Sequence, residues 1–157
     1  MRNNQKQYQH ICMGCMAENK NHSVCKHCGF EEKIQKKHPS YLELRTVLNN
    51  KYIIGKVIGH GGFGITYLAF EKEFIKNKAF EREFLKKVAI KEYFPSALAT
   101  RDTSNNTIFP LKGDHEQFFS KGLIFFIEEA RNVAQFSDHP NIVNFLIFLN
   151  KMSQTIW

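Results

Sequence analysis

Four cysteines in two equally spaced pairs restrict the fold of this chain more than any other feature. They lie at the ends of the segments Cys12–Cys15 (CMGC) and Cys25–Cys28 (CKHC), and the 157-residue chain has no others. Each pair can present two thiolates from one tight turn, and a tetrahedral ion takes one pair from each turn. The segment is too short to build its own core, so a bound metal would supply its folding energy. We predict structural Zn²⁺ held by Cys12, Cys15, Cys25 and Cys28.

The same cysteines could instead form two disulfides or a redox-active pair. Both alternatives fit poorly, because the polar N-terminus does not resemble a secretory signal and no βαβ pattern surrounds either pair. His10, His22 and His27 could each replace a thiolate as a metal ligand. With four thiols available, we expect these histidines to be bystanders.

Composition narrows the class of protein. The chain carries 22 Lys and Arg against 15 Asp and Glu, for a formal charge of +7. Lysines and glutamates are interspersed along most of the chain, which is typical of a solvated surface, so we do not expect nucleic acid as a partner. No apolar run approaches the roughly 18 residues of a membrane span. We predict a cytoplasmic protein with no membrane segment in this chain.

A glycine-rich loop at residues 59–64 (GHGGFG) lies between two predicted strands. The flanking segments Ile53–Ile58 and Ile65–Ala69 are rich in β-branched and aromatic residues, which favour strands. A dinucleotide-binding loop would open into a helix. The order strand, glycine loop, strand indicates instead the flap that covers ATP phosphates in protein kinases. For this segment alone, an ordinary glycine-rich hairpin remains open.

The segment Val88–Lys91 (VAIK) adds specificity to the glycine loop. In protein kinases this motif places a lysine against the α- and β-phosphates of ATP. A single lysine after an apolar run is usually a charge at a strand end. The order of loop and VAIK favours a functional Lys91.

An internal duplication separates the loop from VAIK. Residues 69–76 (AFEKEFIK) recur at residues 79–86 (AFEREFLK) with two conservative exchanges. Phe70 and Phe74 are four residues apart, which suits an amphipathic helix; a longer hairpin is the alternative. In either case we expect a surface insertion without chemistry of its own.

A helix is predicted to follow the polar loop of residues 99–113. Asp114 is a candidate N-cap with Gln117 reaching back. Apolar residues then recur at helical spacing, at Phe119, Leu123, Phe126, Ala130 and Val133.

One glutamate of this helix should pair with the strand lysine if the chain is kinase-like. Glu128 and Glu129 both precede the segment His139–Val143 (HPNIV). We predict Glu129, because it shares a helix face with Phe125 and Phe136 and should point towards the sheet. Glu128 is the alternative.

These motifs resemble bacterial serine/threonine protein kinases that carry an N-terminal zinc ribbon, and the likeness extends from Cys12 to about Phe145. It implies an α+β fold with a zinc ribbon at 10–30, a linker at 31–50 and a truncated kinase N-lobe at 51–157. That lobe would be an antiparallel β-sheet with one αC-type helix. The cofactors implied are structural Zn²⁺ and ATP with Mg²⁺, and the partners are a protein substrate or another kinase.

The resemblance also assigns site residues. Glu129 would pair with Lys91, and Thr66 stands where many kinases have valine above the adenine. The residues implied for ATP binding are Ile58, Gly59, His60, Gly61, Gly62, Phe63, Gly64, Thr66, Ala89 and Lys91.

The chain departs from the family in lacking both catalytic motifs. Neither H-R-D-x-x-x-x-N nor D-F-G occurs, so the catalytic lobe, its residues and the Mg²⁺ ligands are not in this chain. We therefore expect the ATP-binding portion of a serine/threonine kinase that is inactive in isolation. The alternative is a non-catalytic zinc-ribbon and pseudokinase-like docking module.

Overall fold

The structure, a computed structural model, describes residues 8–20, 22–35, 38–76, 81–135 and 145–148. A five-stranded sheet has the order β1-β2-β3-β4-β7, and β5 pairs with β6 in a separate sheet. The elements, in chain order, are α1 (Glu32–Gln35), β1 (Val47–Leu48), β2 (Tyr52–Gly61), β3 (Gly64–Lys76), β4 (Glu81–Tyr93), β5 (Ala99–Asp102), β6 (Thr107–Pro110), α2 (His115–Ala134) and β7 (Phe145–Phe148).

The chain divides into two compact units that share the three long strands. The first unit contains residues 1–57 and 68–88, and the second contains residues 58–67 and 89–157. Neither unit coincides with the predicted segments 10–30, 31–50 and 51–157. Those boundaries stay a prediction from the sequence.

The cysteine segment shares a hydrophobic core with the sheet in the first unit. Tyr8 and Met13 are buried in one cluster with Leu44, Ile53 and Phe70. Met13 stands between Cys12 and Cys15, so the first cysteine turn contributes a side chain that is 0% exposed. A segment too short for a core of its own thus gains burial by packing on β2 and β3.

Three separate segments cover the outer edge of β2. Strand β1 pairs with its first residues, matching Val47 to Ile53. Beyond β1, the Lys56 N–H donates to the Met13 carbonyl at 2.9 Å. The side chain of Gln35 then completes the edge, since it accepts from the Val57 N–H at 2.8 Å and donates to the Gly55 carbonyl at 3.3 Å.

Within the segment predicted as a linker, the described residues include a partly buried ion pair. Arg45 is buried and makes a two-pronged ion pair with Glu32, with both N···O distances at 2.8 Å. It also donates to the carbonyls of Tyr8 and Ile11, each at 3.0 Å. Arg45 has φ 67, a left-handed conformation that costs energy in a residue with a Cβ. Its four hydrogen bonds to α1 and the cysteine segment offset that cost.

The duplicated segment forms the two long arms of a hairpin. The first copy continues β3 to Lys76, and β4 begins within the second copy at Glu81. The helical interpretation is therefore wrong for the described residues, and the longer hairpin is correct. Contacts within the first unit explain this outcome, because Phe70 is buried in its core and the Tyr8 hydroxyl donates to the Glu83 carboxylate at 2.7 Å.

The second unit contains the glycine hairpin, the end of β4, both short strands β5 and β6, α2 and β7. Strand β7 runs parallel to β4, with Ala89 opposite Phe145. The predicted antiparallel pairing is present between β1 and β2, whereas the parallel pairing of β4 with β7 departs from the prediction. It follows from the crossover through α2, which returns the chain to the same end of the sheet.

Helix α2 begins at His115, as the apolar spacing predicts. Asp114 occupies the N-cap position, but its side chain makes no capping hydrogen bond, so the predicted capping interaction is wrong. Phe119 and Phe126 are the buried residues of the helix. Phe136 and the HPNIV segment lie outside the described residues. Within the described part of the chain, no helix is long and apolar enough to cross a membrane.

Candidate functional site

The two cysteine pairs form turns of matching backbone geometry. In the first, the Cys12 N–H donates to the Ala17 carbonyl at 2.9 Å; in the second, the Cys25 N–H donates to Phe30 at 3.0 Å. The residue after each pair, Met16 or Gly29, has φ 70. Glycine adopts this conformation without strain, whereas methionine does not. The spacing of each cysteine pair predicts a tight turn, but nothing in the sequence marks Met16 as a residue with positive φ.

The four sulfurs converge at distances that suit one metal ion. All lie within 4.8 Å of one another, and the Cys12–Cys28 and Cys15–Cys25 Sγ pairs are each 3.7 Å apart. A tetrahedron with Zn–S bonds of 2.3 Å has edges of about 3.8 Å. A disulfide would need about 2.05 Å between sulfurs, and all four cysteines are free. The geometry fits a shared cation and excludes the disulfide alternative.

Backbone groups and burial set the electrostatics of this cluster. Burial raises the pKa of the Cys12 thiol to about 12, even though the Gly14 N–H donates to its sulfur at 3.2 Å. At Cys25 burial also acts to raise the pKa, but the backbone N–H groups of His27 and Cys28 outweigh it and lower the pKa to about 6. Four sulfurs this close cannot all ionise without a compensating positive charge. A divalent cation supplies that charge.

The glycine-rich loop is the tip of the β2–β3 hairpin in the second unit. Its predicted ligand-facing residues are open to solvent: Ile58 is 51% exposed and Phe63 is 73% exposed. Gly59, Gly61, Gly62 and His60 are exposed as well, while Thr66 is half-buried. A loop of this shape can bring backbone N–H groups close to an anion without interference from side chains.

Gly64 has a structural role that differs from that of the other loop glycines. A Cβ at this position would collide with the backbone carbonyl oxygen of Glu92, whereas a Cβ at Gly61 or Gly62 would meet nothing within 4 Å. The Phe94 N–H donates to the Phe63 carbonyl at 3.2 Å. The base of the loop therefore rests against Glu92 and Phe94, which follow Lys91 in the chain.

Alanine at Gly64 should consequently destabilise the protein, while alanine at Gly61 should not. We expect Gly64→Ala to cost about 1–3 kcal/mol, because a backbone oxygen cannot move aside as a flexible side chain can. Gly61→Ala is the matched control, since both changes add the same methyl group to the same loop. Urea denaturation of the two variants measures the difference, and equal midpoints would contradict the close packing at Gly64.

Lys91 and Glu129 are brought together by β4 and α2. The Lys91 Nζ lies 3.1 and 3.2 Å from the two carboxylate oxygens of Glu129, and 5.2 Å from the centre of the Phe126 ring. Glu128, the alternative partner, is exposed. Phe125 is 69% exposed, so the expectation that it faces the sheet together with Glu129 is wrong. Ala89 is half-buried on the same strand as Lys91.

This ion pair is too exposed to hold α2 in place by itself. The side chains of Lys91 and Glu129 are 29% and 62% exposed. Exposed ion pairs contribute about 0–1 kcal/mol. Other contacts must therefore help to position the helix, and one of them comes from Tyr93, two residues after Lys91.

A buried charged cluster centred on Glu92 was not predicted from the sequence. The Glu92 carboxylate, 0% exposed, accepts from Arg101 at 2.6 Å and from the Tyr67 hydroxyl at 3.0 Å. Arg101 also donates to the Asn106 carbonyl at 3.2 Å and lies over the Phe94 ring. The sequence contains a pattern that could have predicted this cluster. Glu92 alternates with Val88 and Ile90 and so lies on the same face of the strand, and a charge on an apolar face needs a buried partner.

Comparison with known proteins identifies a similar solved structure without assigning a family. No protein-family model and no curated protein matches the chain. A solved structure described as "PpkA-294 apo form" has 36% sequence identity and a TM-score of 0.51, and the match covers 64% of this chain. It covers 31% of the PpkA-294 chain. This chain is thus similar, over most of its length, to about a third of PpkA-294.

Proposed function

We propose that this chain is the ATP-binding N-terminal portion of a serine/threonine protein kinase, which transfers the γ-phosphate of ATP to protein hydroxyls when a catalytic lobe is present. The carrying observation is the contact of Lys91 with both carboxylate oxygens of Glu129. This pair and the glycine-rich loop belong to the same compact unit. Similarity to PpkA-294, a kinase fragment, supports the kinase-like assignment.

Each group has a distinct task in this proposal. The loop at residues 59–64 offers backbone N–H groups to the phosphates, and Lys91 offers a positive charge to the α- and β-phosphates. Glu129 keeps the lysine extended towards them. The Mg²⁺ that accompanies ATP needs carboxylate ligands of the D-F-G type, and this sequence has no D-F-G. The cysteine cluster holds structural Zn²⁺ and takes no part in the chemistry.

Removing the charge at Lys91 should weaken ATP binding. We expect Lys91→Ala to raise the Kd for a fluorescent ATP analogue by roughly 10- to 100-fold, the range for losing a hydrogen bond to a charged group. The matched control is Lys121→Ala, which removes an exposed lysine from α2. Titration of the full chain in MgCl₂ gives both values.

Two results of that titration would count against the proposal. One is an unmeasurable affinity in the unaltered chain, and the other is an equal effect of the two lysine substitutions. Glu129→Gln and Glu128→Gln extend the comparison. We expect only the change at position 129 to weaken binding, because only Glu129 contacts Lys91.

A non-catalytic docking module is the second candidate, and one observation favours it. Phe118, Ile124 and Phe125 are 58%, 57% and 69% exposed on α2, and clustered exposed apolar side chains often mark a protein contact. Two results together would support docking over ATP binding. The unaltered chain would bind a protein substrate or kinase but no nucleotide, and Phe125→Glu would abolish the protein binding.

A further inference from the structure

Two side chains of β4, Lys91 and Tyr93, attach the strand to helix α2. Sequence motifs predict the Lys91 contact and do not predict the Tyr93 contact. Lys91 and Tyr93 are two residues apart on β4 and therefore point to the same side of the strand. Lys91 reaches Glu129, whereas Tyr93 reaches the other end of the buried face, where its hydroxyl donates to the Phe119 carbonyl at 2.8 Å. The Tyr93 contact is buried and the Lys91 contact is exposed.

The Tyr93 side chain packs closely against α2. Tyr93 is 4% exposed, and its ring packs at centroid distances of 5.0 Å on Phe119 and 5.2 Å on Phe126. Its hydroxyl lies directly over Gly122, where an added Cβ would collide with it. Burial raises the pKa of the Tyr93 hydroxyl to about 12, so the group remains a hydrogen-bond donor at neutral pH.

Gly122 indicates that the close approach of Tyr93 to α2 is a specific feature of this packing. Glycine inside a helix is destabilising relative to alanine, because it loses more conformational freedom on folding. Its presence at the one α2 position beneath the Tyr93 hydroxyl lets strand and helix approach closely. Phe126 links the two attachment points, since its ring packs on Tyr93 and also lies beneath the Lys91 ammonium.

We propose that Tyr93 is a positioning residue, whose hydroxyl anchors α2 across Gly122 and so holds Glu129 against Lys91. This inference rests on the proposed function only where it concerns the consequence of the anchor for ATP binding. The geometric claim, that position 93 controls the pairing of positions 91 and 129, stands on the contacts alone. Tyr93 itself touches no substrate in this assignment.

Labelling of the Lys91 amine measures the pairing without nucleotide. An amine-reactive reagent at low concentration modifies Lys91 when the ion pair is open, and mass spectrometry of the Lys91 peptide gives the rate. In Tyr93→Phe we expect this rate to rise roughly two- to fivefold, because opening an exposed ion pair can change the rate by no more than that. Glu129→Gln should raise the rate at least as much. The double variant should label no faster than Glu129→Gln, because both changes open the same pair.

Tyr67→Phe is the matched control. Tyr67 is also fully buried, and its hydroxyl donates to Glu92 instead of α2. We expect it to lower the melting temperature without changing Lys91 labelling. If Tyr67→Phe and Tyr93→Phe accelerate labelling equally, or if the effects of Tyr93→Phe and Glu129→Gln multiply, Tyr93 is an ordinary core residue and the proposal is overturned.

Gly122→Ala provides a second variant that does not remove any polar group. Alanine favours the helix more than glycine does, yet its methyl group displaces the Tyr93 hydroxyl. Faster Lys91 labelling in a chain with an intrinsically stronger helix supports the anchor, and unchanged labelling contradicts it.

The outcome separates this inference from the proposed function. If the coupling of positions 93 and 129 is present but the unaltered chain binds no ATP analogue, the anchor stands and ATP binding fails. If Lys91→Ala weakens ATP binding but Tyr93→Phe leaves labelling unchanged, ATP binding stands and the anchor fails.

Discussion

A Cys25→Ser substitution is expected to abolish tight zinc binding and to unfold the cysteine segment of the first unit. Structural zinc in small modules contributes apparent binding energies of about 10–16 kcal/mol at neutral pH, and that energy is available for folding. Cys25 is 2% exposed, so the serine hydroxyl, a poor zinc ligand, would also be buried there. Because Met13 of the first turn packs with Ile53 and Phe70, part of the sheet should lose its packing too.

Metal content and thermal melting of the purified chain test this expectation. The unaltered chain should carry one zinc ion, and a chelator should lower its melting temperature. His27→Ser is the matched control: it changes an exposed residue between two cluster cysteines, and it should keep the metal. Full zinc content and an unchanged melt in Cys25→Ser would show that the four thiols do not form a structural site.

Glu92→Gln should have the second largest effect. The change keeps the size of the side chain and an acceptor for the Tyr67 hydroxyl, but it removes the negative charge that faces the buried Arg101 guanidinium. The side chains of Arg101 and Glu92 are 1% and 0% exposed. Breaking a buried ion pair by removing one partner costs about 3–5 kcal/mol. We expect a loss of that order in urea denaturation.

Glu129→Gln is the control for burial in this experiment. It removes a carboxylate from an ion pair of the same kind that is largely exposed, so its cost should stay at or below about 1 kcal/mol. Replacing Glu92 and Arg101 together by apolar residues should be less damaging than Glu92→Gln, since no buried charge remains. Equal midpoints for the two glutamine variants would refute the role of burial.

Motifs with fixed local geometry were readable from the sequence. Two equal cysteine spacings predict converging sulfurs because each short turn presents both of its thiols, and the structure places all four within 4.8 Å. The helical period of α2 predicts an apolar stripe, in which Phe119 and Phe126 are buried and Leu123, Ala130 and Val133 are half-buried. Both predictions start from regular spacings between residues a few positions apart.

Features that depend on distant partners were not readable. The duplicated segment has i,i+4 phenylalanines that suit a helix, but burial of Phe70 with Ile53 and Met13 selects a strand. Arg45 adopts φ 67 because Glu32 and two backbone carbonyls hold its guanidinium. The contact of Tyr93 with Phe119 spans 26 residues, and no spacing rule predicts it.

The covered edge of β2 has a consequence for self-association. An open strand edge offers unpaired N–H and C=O groups to other chains and is a common starting point for aggregation. Here the Met13 carbonyl and the Gln35 side chain occupy that edge beside the apolar Ile53 and Ile54. The turn that supplies the Met13 carbonyl therefore leaves fewer free backbone groups on this edge, and we expect it to hinder another molecule from extending the sheet.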